Sequence, residues 1–116
     1  MSIKKRLEDL MRIGGVHACG VFVHGLPVDA ITSTDVDKEK LFAYAQDLIN
    51  YSEKVAEGIG SNSEFIMLEM NNEKLLVLPV DAGGVAVLTD RDANIGMVRV
   101  AMKVAIPEFK SYLVGG

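Results

Sequence analysis

The side chains with the most chemical capacity in this chain lie close together near its start: His17 and Cys19 alternate along an apolar run, and His24 follows at a glycine-bearing turn. Imidazole and thiolate are the usual ligands of zinc, but a tetrahedral site needs four donors, and no second pair stands at zinc-like spacing. The same Cys19 and His17 could be drawn as nucleophile and base, yet two neighbouring positions lack the third group that orients a triad. A buried, inert thiol is the better reading. Asp81-Ala82-Gly83-Gly84 follows a strand-like run, but no helix begins after it and no Lys-Ser/Thr pair is present, so it reads as a hairpin turn and not as a phosphate loop. Arg91 could serve as an arginine finger; with Asp90 and Asp92 on either side it reads as a solvated surface group. The closing Gly115-Gly116 is similar to conjugation tails, but a helical pattern precedes it and a frayed end is expected. No catalytic residue, metal site or cofactor is predicted, and the chain is read as non-enzymatic.

The totals point toward a partner instead. At 116 residues the chain is expected to be a single domain, 1–116, and 49% hydrophobic residues is more apolar material than a small monomer normally hides. Twelve basic against sixteen acidic residues leaves a net charge of −4, which argues against nucleic acid. The single cysteine fits a reducing compartment. Glu8 and Asp9 interrupt what would otherwise resemble a basic signal-peptide start, and no apolar run approaches the roughly 20 residues of a membrane span. A cytoplasmic location is expected.

The elements that would position these residues follow from periodicity. Ser2 can cap a first helix with Ile3, Leu7, Leu10 and Met11 on one face, stopped by Gly14-Gly15. Val16 to Val23 and Val28 to Ser33 read as strands joined by a turn at His24-Gly25-Leu26-Pro27. Thr34 or Asp35 can cap a second helix from about Val36 to Ile59, roughly 35 Å long. Its main stripe runs through Leu41, Ala45, Leu48, Ser52, Val55, Ala56 and Ile59, while Phe42, Tyr44, Ile49 and Tyr51 lie off it and are the candidate partner-binding residues. From Glu64 to Thr89 three short apolar runs are separated by Asn71-Asn72-Glu73 and Asp81 to Gly84, an antiparallel meander. A last helix carries Ile95, Val98, Met102, Ile106, Phe109 and Leu113 at helical spacing, with Asp92 or Asn94 as its cap and a bend or a loosening of the last turns expected at Pro107. The order α-β-β-α-β-β-β-α makes an α+β fold, a five-stranded antiparallel sheet sandwiched by helices.

This order, with Gly15-Val16 at the start of the first strand, the polar start of the long helix, Leu75 to Val80 followed by Asp81 to Gly84, and Asn94-Ile95-Gly96 opening the last helix, resembles the roadblock, dynein light-chain-like family. The resemblance runs from about Leu7 to Leu113 and carries no catalytic signature. It implies a profilin-like sandwich that dimerises with itself or with a paralogous roadblock subunit. In such a dimer the third strands pair across the interface and the long helices pack side by side, forming a platform that binds a small Ras-like GTPase. The interface strand would be Phe65, Ile66, Met67, Leu68, Glu69 and Met70. Independently, a strand with Glu69 as its one charge would be an aggregation template if left uncovered. The rival reading is a small-ligand sensor of the profilin-like, PAS or GAF kind, which would need a cavity between sheet and helix lined by convergent polar groups.

Overall fold

The computed structural model describes residues 2–33 and 35–115. Three helices and five strands follow the expected order: α1 (Ile3–Met11), β1 (Val16–Val23), β2 (Leu26–Thr32), α2 (Lys38–Ile59), β3 (Ile66–Glu69), β4 (Glu73–Val80), β5 (Gly83–Asp90) and α3 (Ile95–Gly115). All strands join one antiparallel sheet in the order β2-β1-β5-β4-β3. β1 and β5 therefore hold the centre, and β2 and β3 are the two edges. Because α2 connects one edge to the other, it must cross a whole face of the sheet. α1 and α3 cover the opposite face.

Each helix start is set by a short polar side chain. The hydroxyl of Ser2 accepts the backbone N–H of Lys5, and Asn94 Oδ1 accepts that of Met97 at 3.1 Å. For α2 the cap is Asp37, whose carboxylate accepts the N–H of Lys40. Asp35 lies two residues too early, its carboxylate accepting the Ser33 hydroxyl instead, and Thr34 lies outside the described residues. α3 runs through Pro107 to Gly115 as helix, so the expected loosening of its last turns is not seen. The first hairpin is also tighter than expected: only His24 and Gly25 form the turn, with φ of 51° and 78°, the pair of positive values a two-residue type I′ turn requires. Leu26 and Pro27 already belong to β2. Proline is tolerated there because β2 is an edge, and the register with β1 shifts beside it, between Val21 and Phe22.

Two apolar layers result. Leu7 and Leu10 of α1 and Val98, Met102, Ala105 and Phe109 of α3 pack on Cys19, Val21, Leu76 and Val87. On the other face Phe42, Ala45 and Ile49 of α2 pack on Ala18, Phe22, Leu75, Val77 and Ala86. This second layer corrects the expected orientation of α2, which is rotated by about one position: Phe42 and Ile49, expected to meet a partner, are core. The reason lies across the layer. β1 carries Gly20 where the helix brings Phe42, and a β-carbon there would lie 2.4 Å from the Phe42 ring. The large residue on the helix fills the space that the small one on the sheet leaves, and the Phe42 ring settles 5.7 Å from that of Phe22. Gly83 answers a similar constraint, since a β-carbon would come within 1.8 Å of the Phe22 carbonyl oxygen.

Candidate interaction surface

The residues with chemical capacity are dispersed by the fold. Cys19 is fully buried under α1, its Sγ donating to the Leu7 carbonyl at 3.3 Å, and burial pushes its thiol up to about 12. His17 lies where the register with β5 shifts, between Val16 and Ala18, and pairs with Asp90 at 2.5 Å, and His24 occupies the β1–β2 turn. Among the described residues no three His, Cys, Asp or Glu side chains converge as metal ligands would. Asp81 and Ala82 are the hairpin turn itself, with Gly83 and Gly84 already in β5. Arg91 is held differently from the expectation: its guanidinium donates to the Asn71 carbonyl at 3.0 Å, tying the β3–β4 turn to the start of the α3 loop, and neither acidic neighbour pairs with it. Gly115 ends α3, and Gly116 lies outside the described residues.

What the fold does assemble is an apolar surface along one edge. β3 pairs with β4 on one side, from Ile66 opposite Val77 to Glu69 opposite Lys74, and among the described residues has no strand on the other. Strand alternation sends Leu68 and Met70 toward the α2 side and Phe65, Met67 and Glu69 toward the α3 side. Met67, Leu68 and Met70 are exposed, while Phe65 and Ile66 are half-buried against the two core layers. Glu69 is exposed and reaches Lys74 at 3.7 Å. Of the four expected helix contacts, Phe42 (0% exposed) and Ile49 (3%) are unavailable, whereas Tyr44 (61%) and Tyr51 (71%) stand in solvent. Between α2 and β3 lies an open groove of about 580 Å³, lined by Leu41, Tyr44, Leu48, Tyr51, Leu68 and Met70.

The sequence reading missed the far end of this surface. Val55 and Ile59, assigned to the core stripe, are exposed and extend the line of Tyr44, Leu48 and Tyr51 at offsets of three and four along α2. The usable signal was the aromatic pair: a tyrosine keeps a wet hydroxyl and suits a rim, whereas phenylalanine does not.

The fold is an α+β domain with an uncovered edge strand beside an apolar helix face, a surface in place of a pocket. The chain belongs to the Roadblock/LC7 domain family, whose model matches residues 3–90. It is 32% identical over 111 residues to an uncharacterised protein of Methanocaldococcus jannaschii, MJ0714, covering 94% of each chain. Its fold is similar to a Roadblock/LC7 domain from Streptomyces avermitilis, with a TM-score of 0.86 at 17% identity over 97% of this chain and 98% of that one. It is also similar to Myxococcus xanthus MglB, with a TM-score of 0.83 at 18% identity over 98% and 96%.

Proposed function

We propose that this chain is a non-enzymatic dimeric scaffold and regulator of a small Ras-like GTPase. The observation that carries the reading is the free edge of β3 flanked by exposed Met67, Leu68 and Met70. Pairing β3 with its copy satisfies the open backbone groups and continues the sheet. Four residues per strand give too few hydrogen bonds to hold two chains by themselves. The apolar line of α2, with Tyr44, Tyr51, Val55 and Ile59, is therefore the second half of the same interface. A GTPase would then meet the surface that the paired long helices create, as the family resemblance implies. The sensor reading draws no support from the α2 layer, which Phe22, Phe42, Ile49, Leu75 and Val77 fill with apolar side chains.

Size-exclusion chromatography with light scattering tests the pairing. A dimer at micromolar concentration is expected, and Met67→Lys should convert it to a monomer by placing a charge at the shared edge. A wild-type monomer, or a Met67→Lys dimer, would show that the wrong strand has been chosen. Capture of a Ras-like GTPase by the wild type, and its loss with Tyr44→Ala/Tyr51→Ala in protein that light scattering shows to be still dimeric, would support the platform.

A further inference from the structure

Charge is divided between the two faces of the sheet far more strongly than the total suggests. α1 with its cap Arg12 carries four basic and two acidic residues and α3 three and one, so this layer holds seven against three, a net of +4. The remainder of the chain holds five against thirteen, −8, and the two together give the −4 of the whole. Two carboxylates of the basic layer are already engaged within it: Asp9 by Lys5 and Arg12, and Glu108 by Arg6 at 3.0 Å. Among the described residues, Arg99, Lys103 and Lys110 pair with no carboxylate. Spaced at i, i+4 and i+11, they form one row along α3, with Arg99 lying 4.1 Å over the Phe65 ring.

The same helix is apolar on both sides. Val98, Met102, Ala105 and Phe109 face the sheet, yet Met97, Val100 and Val104 stand exposed at i, i+3 and i+7 on the outside. A helix apolar all round is normally covered all round. Here Met97 and Val100 line an open groove with Ile13, and the row of cations runs along the same helix, a pairing of exposed apolar and basic side chains that suits an anionic lipid surface. A nucleic-acid backbone would use the cations and leave the apolar residues unsatisfied.

We propose that the α1/α3 face docks on an anionic lipid surface, with Met97, Val100 and Val104 entering the headgroup region and Arg99, Lys103 and Lys110 meeting lipid phosphates. No described helix is long and apolar enough to cross a membrane, so the contact is peripheral. The proposal needs only one chain, but pairing through β3 would strengthen it. The two-fold axis of an antiparallel strand pair stands perpendicular to the sheet, which places both basic layers on the same side.

The test is co-sedimentation of the full chain with vesicles of equal parts phosphatidylglycerol and phosphatidylcholine, and with phosphatidylcholine alone, at about 0.1 M salt. The protein should pellet with the first and not the second. Arg99→Glu/Lys103→Glu/Lys110→Glu should lower the partition at least ~10-fold, and Val100→Ser/Val104→Ser should lower it with the charge intact. Circular dichroism and light scattering on each variant separate lost binding from lost folding or pairing. Wild-type protein that stays in solution with the anionic vesicles would overturn the proposal, including the case in which it binds polyglutamate instead. So would a charge-reversed variant that is folded and binds unchanged. A wild type that is monomeric yet pellets with anionic vesicles would remove the β3 pairing and leave this proposal standing.

Discussion

At the scale of single residues, burial decides what Cys19 can do. The buried thiol is expected to ignore thiol-reactive reagents at pH 8 in the native protein and to react fully once the chain is unfolded in urea. Its proton also links stability to pH. Burial raises the folded-state value from 9.0 to about 12, with the Asp29 carboxylate adding to the rise and a backbone hydrogen bond from Ile31 opposing it. The folded chain thus keeps a proton that the unfolded chain releases from about pH 9 upward. The contribution is complete below pH 9 and is lost as pH climbs toward 12. Urea midpoints from pH 8 to 10 should therefore fall more steeply for the wild type than for Cys19→Ala; parallel slopes would mean that the thiol is not sealed. The apolar run around Cys19 made its burial legible in the sequence. The seat of Phe42 was not legible, because it depends on Gly20, twenty-two positions earlier and joined to it only by the fold.

At the scale of elements, order and type were legible throughout, since strand and helix periods differ and Asn, Asp and Gly mark the boundaries between them. The orientation of α2 was not. Its apolar residues occupy more than half the circumference, so two stripes one position apart fit the pattern nearly equally, and only the small residues of the sheet choose between them. The choice has measurable consequences. In a Met67→Lys background, where pairing is removed, Phe42→Ala should cost about 3–5 kcal/mol of unfolding free energy through the cavity it leaves. Tyr51→Ala, on the exposed line, should change it by no more than about 0.5 kcal/mol. Urea denaturation of the two variants checks both, and comparable losses would place Tyr51 in the core and return α2 to its expected orientation.

At the scale of the whole molecule, the two sheet edges are not equivalent. β2 is defended against further pairing: Pro27 lacks a donor, the register is broken between Val21 and Phe22, and Asp29 adds a charge. β3 is short and ends in the charged Glu69, and exposed Met67, Leu68 and Met70 offset both defences. The composition of the meander's first strand showed that its backbone must be covered; that it would be an edge of the sheet was implied by the family resemblance and not by the residues. That the edge and the exposed face of α2 form one surface was not legible, because it depends on α2 crossing the sheet from β2 to β3. If this surface joins two chains, unfolding and dissociation are coupled, and stability depends on protein concentration. Each tenfold increase in protein should raise the unfolding free energy per dimer by about 1.4 kcal/mol. The urea midpoint should therefore climb between micromolar and hundred-micromolar wild-type protein and stay fixed for Met67→Lys, whereas a wild-type midpoint independent of concentration would mean that the β3 edge is closed by something other than a second copy.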